Sequence, residues 1–181
     1  VGERTTPTVQ LLLDQSGSMT SSFGGGLDRW ESMVQALIDP QDGVVTQNAA
    51  AVVFGASLYT YDTGAGGACP HITGVPRSAN NLAAISQLLN NNQPVAETPT
   101  GDSIDVIVND FMANPPAAGS PPIIVLATDG EPDTCEQPNP QNGQAEALAA
   151  AERPYAAGIR PYILGVGNDA GAHHLQAMAN A

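Results

Sequence analysis

Short, nearly continuous apolar runs alternate along the chain with stretches whose apolar residues recur every three or four positions, which predicts strands and helices in turn. The first run, Val9-Gln10-Leu11-Leu12-Leu13, ends at Asp14 and gives way to Ser/Gly-rich sequence, as a central parallel strand running into a loop should. That loop continues through Phe23 to Gly26, and Asp28 is placed to cap a helix beginning near Arg29. Trp30, Met33, Val34, Leu37 and Ile38 follow at helical spacing until Pro40 stops the pattern. Ala49 to Gly55 reads as a second buried strand and Tyr59 to Gly67 as a polar, glycine-rich loop. His71 to Val75 is a short edge strand, because Pro70 and Pro76 bracket it and neither donates to a ladder.

A helix is predicted over about Asn80 to Asn90, with Leu82, Ile85, Leu88 and Leu89 on its apolar face. Another spans Asp102 to Met112, marked by Ile104, Ile107, Val108 and Phe111. Ile123 to Ala127 gives the clearest central strand and runs directly into Thr128-Asp129-Gly130. An alanine-rich helix over Gln144 to Tyr155, a strand over Arg160 to Val166 and a short helix over Ala170 to Met178 complete the pattern. Strands alternating with helices predict an α/β, doubly wound architecture: a mostly parallel central sheet with one short antiparallel edge strand and helices on both faces. At 181 residues the chain is read as a single domain over 1–181. Its pattern ends on a helix where one further strand is expected, as in an excised fragment or a domain without that final element.

In such a sheet the loops at the carboxyl ends of the strands share one rim. Asp14-Gln15-Ser16-Gly17-Ser18 follows the first strand and Thr128-Asp129-Gly130 follows the strongest later one. If those strands are neighbours, Asp14 and Asp129 meet at the switch point where ligands bind in open α/β sheets. Asp14, Ser16 and Ser18 can turn their oxygens towards one point while Gly17 keeps the loop tight. Such oxygen-rich company suits a hard divalent cation, whose shell for magnesium lies at roughly 2.0–2.1 Å. Taken singly, an Asp before Gly is a turn residue and DxSxS a cap or loop signal. Together at strand ends, with Glu97-Thr98-Pro99-Thr100-Gly101 between them, they point to a metal site.

Charge narrows the partners. There are 18 acidic residues and 5 basic ones, all Arg, giving a formal net charge of −13. A nucleic-acid partner needs basic groups to replace its counterions, and an anionic membrane surface is disfavoured for the same reason. Cations and basic protein surfaces are favoured. No apolar run is long enough to span a bilayer, so no direct membrane insertion is expected. Val1-Gly2-Glu3-Arg4 does not resemble a signal peptide, which suits either a mature exported protein or a cytosolic one.

Over essentially its whole length the sequence resembles a von Willebrand factor type A domain, or integrin I-like domain. Asp14, Ser16 and Ser18 match the family's DxSxS motif, Thr98 its metal-site threonine, and Asp129 the aspartate of its (T/S)DG motif. The resemblance implies a Rossmann-like fold and a metal-ion-dependent adhesion site made by these five residues. One divalent cation is implied, Mg2+ first, with Mn2+ or Ca2+ as alternatives. Ser16 and Ser18 would coordinate through hydroxyls, Asp14 and Asp129 would hold waters and the serines, and Thr98 would bind directly or through water. A protein ligand presenting Glu or Asp would complete the shell. Thr100 is the alternative for the threonine role, its ordinary function being to start the helix.

Glu97, Glu131 and Asp133 read as rim charges rather than ligands. Arg29 and Trp30 read as helix start and core anchoring, and Tyr59 and Tyr61 as loop residues. His71, His173 and His174 do not approach the ligand set. Cys69 and Cys135 fit no zinc spacing and are either buried thiols or a pair. With Cys69 opening an antiparallel edge strand they would share the rim, and a disulfide there would contribute on the order of 4 kcal/mol. That pairing, the family's frequent extracellular use and the absence of Lys favour an extracellular, cell-surface or periplasmic setting over a cytoplasmic one.

The leading expectation is therefore a non-enzymatic, metal-dependent adhesion or protein-binding module, monomeric in isolation. The alternatives are an assembly subunit whose metal stabilises the upper loops and, less favoured for want of a base beside the serines, a metal-dependent hydrolase.

Overall fold

The computed structural model describes residues 5–138, 141–167 and 172–181. Its strands are β1 (Thr8–Asp14), β2 (Ser22–Gly24), β3 (Leu27–Asp28), β4 (Val53–Thr60), β5 (His71–Ala79), β6 (Pro122–Thr128) and β7 (Arg160–Gly165). Its helices are α1 (Arg29–Ile38), α2 (Val44–Asn48), α3 (Leu82–Asn90), α4 (Thr100–Ala113), α5 (Gln144–Ala156) and α6 (Ala172–Asn180). Five strands form one sheet in the order β5-β4-β1-β6-β7, with β5 alone antiparallel; β2 and β3 make a separate two-stranded ribbon. The mostly parallel sheet with an antiparallel edge is the architecture the alternation predicts.

The period of two along a strand divides the core. On one face Leu12 packs with Ile124, Leu126, Tyr59 and the apolar sides of α4, α5 and α6. On the other, Val9, Leu11 and Leu13 pack with Phe54, Leu58, Trp30, Met33, Val45 and Ile85. All seven residues of β1 are buried, because it lies at the centre with helices over both faces. Helix α1 begins where expected: Asp28 accepts from the Glu31 N–H at 2.7 Å, and Glu31 accepts from the Asp28 N–H at 3.0 Å. This reciprocal pair satisfies two groups the first turn would leave bare.

Three boundaries depart from the sequence reading. The strand read from Ala49 to Gly55 starts only at Val53 and continues to Thr60, so Tyr59 lies within the sheet rather than in a loop. Polar Ser57 is tolerated there because the Gln10 amide donates to its hydroxyl at 3.0 Å. The alanines before β4 instead follow α2, a five-residue helix too short to show a period. Strand β5 runs past Pro76, and the β4–β5 register shifts between Phe54 and Ala56 opposite that proline. Beyond it Arg77 pairs with Asp110 of α4 at 2.5 Å and lies over the Phe111 ring, fastening the edge strand to a helix. The first residues of the helix read from Ala170 lie outside the described residues.

Leu12 is fully buried between β4, β6 and the α4–α5 layer. Leu12→Ala is expected to lower the unfolding free energy by about 3–5 kcal/mol with little change in urea m-value, as measured by equilibrium denaturation.

Candidate metal centre

Strands β1 and β6 are parallel neighbours with Leu13 opposite Ala127, so their next residues, Asp14 and Thr128, end side by side. Asp14 is wholly buried and both its oxygens are engaged. Oδ2 accepts from the Thr128 hydroxyl at 2.6 Å, and Oδ1 accepts from the Ser16 N–H at 2.8 Å. The second contact turns the chain sharply, and residues Gly17–Thr20 form one 3-10 turn pinned by buried Met19. Ser16 and Ser18 therefore face each other, their hydroxyl oxygens 2.9 Å apart, and Ser18 donates to Asp129 Oδ1 at 2.9 Å. Asp129 Oδ2 accepts from Arg29 at 2.7 Å.

Hydrogen bonds thus link Asp14, Ser16, Ser18 and Asp129 in one continuous chain. The third loop closes beside them. The Gly17 N–H donates to Ala96 at 3.0 Å, and the Val95 N–H donates to the Gln15 carbonyl at 2.7 Å. A Cβ on Gly17 would lie 3.1 Å from the Val95 carbonyl oxygen, so the close approach favours glycine there. Thr98 is buried, and its backbone is clasped by Asp133: the Thr98 N–H donates to the carboxylate at 3.0 Å, and the Asp133 N–H donates to the Thr98 carbonyl at 2.9 Å. Thr100 opens α4, with its hydroxyl 3.2 Å from that of Tyr59.

Asp133 is therefore not a rim charge. It is 1% exposed, an internal strut between two loops. Glu131 is exposed and Glu97 half-buried, as rim positions should be. The second correction is Tyr59, fully buried opposite Asp14 on β4. Arg29, Thr128 and Tyr59 are the participants that sequence reasoning missed. A signal existed for Arg29: a cation in the first turn of a helix opposes the helix dipole, so it calls for a specific anion. The fully buried Tyr59 phenol had no such signal.

Cys69 and Cys135 form a disulfide with Cα atoms 5.5 Å apart, joining the start of β5 to the loop after β6. The Cys135 N–H donates to Asp102 of α4 at 2.8 Å, so the same loop is held from a third side. Next to it, burial and the charge of Asp102 push the Glu146 carboxyl up to about 7. At the centre, burial and then the Asp129 charge push Asp14 up to about 6, against the lowering effect of its hydrogen bonds. Burial and the Asp14 charge hold the Tyr59 phenol well above its ordinary value.

Among the described residues no three or more His, Cys, Asp or Glu side chains come together to hold a metal ion. The rim offers instead two carboxylates and several hydroxyls. No helix among the described residues is long and apolar enough to cross a membrane.

Residues 9–181 match the family model described as "von Willebrand factor type A domain". No curated protein matches the chain by sequence. Solved structures similar to it include manganese-loaded TRAP protein of Plasmodium vivax, with 16% identity and a TM-score of 0.68. That likeness covers 98% of this chain and 64% of that one. The pilus adhesin SpaC of Lactobacillus rhamnosus GG gives 16% identity and 0.69, covering 98% of this chain and 28% of that one. An aerotolerance-related membrane protein of Bacteroides fragilis gives 18% and 0.64, covering 96% and 87%. The chain thus spans less than two thirds of the first two, and at these identities the likeness is one of fold.

The buried acid sets a pH dependence. The folded domain holds a proton on Asp14 that the unfolded chain, with an ordinary value of 3.8, releases between that pH and about 6. Its contribution therefore favours folding at low pH and is lost as pH rises through about 6, by about 3 kcal/mol in all. Thermal unfolding in chelator between pH 4.5 and 7.5 is expected to show a smaller loss of Tm with rising pH in Asp14→Asn than in the native sequence.

Proposed function

The chain belongs to the von Willebrand factor type A family, and on that premise we propose that it is a non-catalytic binding module holding one divalent cation, through which it recognises a protein partner's Glu or Asp. The observation that carries this reading is the continuous run from Asp14 through Ser16 and Ser18 to Asp129.

The donors fit a hard cation. All are oxygens, and the 2.9 Å between the two serine hydroxyls matches adjacent corners of an octahedron with metal–oxygen distances of about 2.0–2.1 Å. The manganese of the Plasmodium vivax TRAP structure supports a divalent ion in this fold.

Ser16 and Ser18 would hold the ion through their hydroxyl lone pairs. Asp129, accepting the Ser18 proton, orients that hydroxyl, and Asp14 does the same for the turn through the Ser16 N–H. Thr98 would approach from the third loop, held in place by Asp133. When bound, the ion supplies a Lewis-acidic position that a partner's carboxylate can fill. The acidic chain around it selects against strongly acidic partners as a whole, so the ligand acid should sit in a mixed or basic surface. The disulfide supports an extracellular, cell-surface or periplasmic setting.

Calorimetric titration with Mn2+ is expected to show one ion per domain. The double variant Ser16→Ala/Ser18→Ala should bind at least roughly 100-fold more weakly. No saturable binding by the native sequence, or binding indifferent to both serines, would overturn the metal reading. Stabilisation by the ion without any chelator-sensitive capture of glutamate-bearing peptides would favour an assembly role over adhesion.

A further inference from the structure

The two oxygens of Asp129 face two different partners: Oδ1 accepts from Ser18, and Oδ2 from Arg29. The Arg29–Asp129 pair is deeply buried, with side-chain exposures of 10% and 4%. The pair sets a guanidinium, with its delocalised positive charge, directly against the Asp129 carboxylate. The fold also makes room for it. The Arg29 N–H donates to the Ser21 carbonyl at 3.0 Å, anchoring the backbone. Gly167, with φ +113°, passes so close that a Cβ there would lie 2.7 Å from Arg29 Nε. The Val166 N–H, donating to the Thr128 carbonyl at 2.8 Å, holds that segment against the end of β6.

We propose that Arg29 is a built-in counter-cation that weakens the hold of Asp129 on the metal ion, leaving the ion electron-poor and so better able to take a partner's carboxylate. This rests on the metal reading of the same site and adds what sets the site's charge. A buried cation on the far oxygen withdraws negative potential from the near one, and in a poorly screened interior that effect reaches the ion position. Two fully available carboxylates would bind the ion more tightly and leave it less to offer a ligand. An arginine there exchanges ion affinity for ligand affinity. A purely structural role, orienting Asp129 alone, predicts the opposite sign for the ion: loss of Arg29 would loosen Asp129 and weaken metal binding.

The test compares Mn2+ affinity by calorimetry in the native sequence, R29Q, R29K, D129N and R29Q/D129N. Folding of each is checked by circular dichroism in chelator. R29Q, which keeps a donor and removes the charge, should bind Mn2+ roughly tenfold or more tightly. R29K, which keeps the charge and loses the planar fork, should not share that gain. Acetate, read by its effect on the water-proton relaxivity of the Mn2+-loaded protein, should bind R29Q more weakly than the native sequence. If R29Q does not fold, the neutral pair decides the matter: R29Q/D129N should bind Mn2+ roughly tenfold more tightly than D129N. Mn2+ affinity equal to or below the native value in folded R29Q, or a double variant as weak as D129N, overturns the role of Arg29 alone. No Mn2+ binding by the native sequence overturns the metal reading, and this inference with it.

Discussion

The hydroxyl of Thr128 donates to a carboxylate oxygen of Asp14 across the adjoining ends of β1 and β6. That contact exists because the two strands run parallel in one register, with Leu13 against Ala127. Moving either strand by one residue would exchange the two faces of the sheet and turn Asp14 into an apolar layer. A fully buried acid is costly without partners, so the register and the turn that follows it support one another. The Ser16 N–H supplies the second partner, and accepting it bends the chain so that the two serines meet. Ser18 then reaches Asp129, so the first and later strand exits are joined through their side chains.

Much of this was legible in the linear pattern. Short apolar runs that end on Asp14 and on Thr128-Asp129 reveal both strand and exit, because a central parallel strand is apolar throughout and its polar residue marks where it leaves the core. Prolines 70 and 76 identified the edge strand for an equally direct reason, since neither can donate to a second neighbour. The reading failed where burial depended on a partner distant in sequence. The strand read from Ala49 stops at Gly55, short of polar Ser57, whose hydroxyl is satisfied by the distant Gln10 amide, so Tyr59 falls into the loop of that reading. Asp133 looks exposed because it is charged, yet its carboxylate accepts the N–H of Thr98, 35 residues earlier. Helix α2 and the β2–β3 ribbon are too short to carry a period.

Electrostatics within the site differ from those of the chain as a whole. The protein carries a large excess of acid, but one of its five basic residues is directed inward, to one of the two acids at the centre. Asp14 has no such partner and relies on hydrogen bonds, which is why burial and its negative neighbour raise its affinity for protons. The two aspartates are thus unequal although the motif makes them look alike. One is paired with a buried guanidinium, and the other is held by a hydroxyl and a backbone N–H.

The cystine closes a covalent ring running from Cys69 to Cys135. Thr98 and Asp129 lie inside that ring, while Asp14, Ser16 and Ser18 lie on the chain before it. A protease that cuts the connection between α4 and β6, within the ring, leaves both pieces joined through sulfur. A cut in the exposed glycines before Cys69 divides the chain into two pieces with no covalent link, held only by packing and hydrogen bonds, with the serines on one and Asp129 on the other. Survival in a protease-rich medium therefore depends less on the number of susceptible bonds than on which side of the ring they fall.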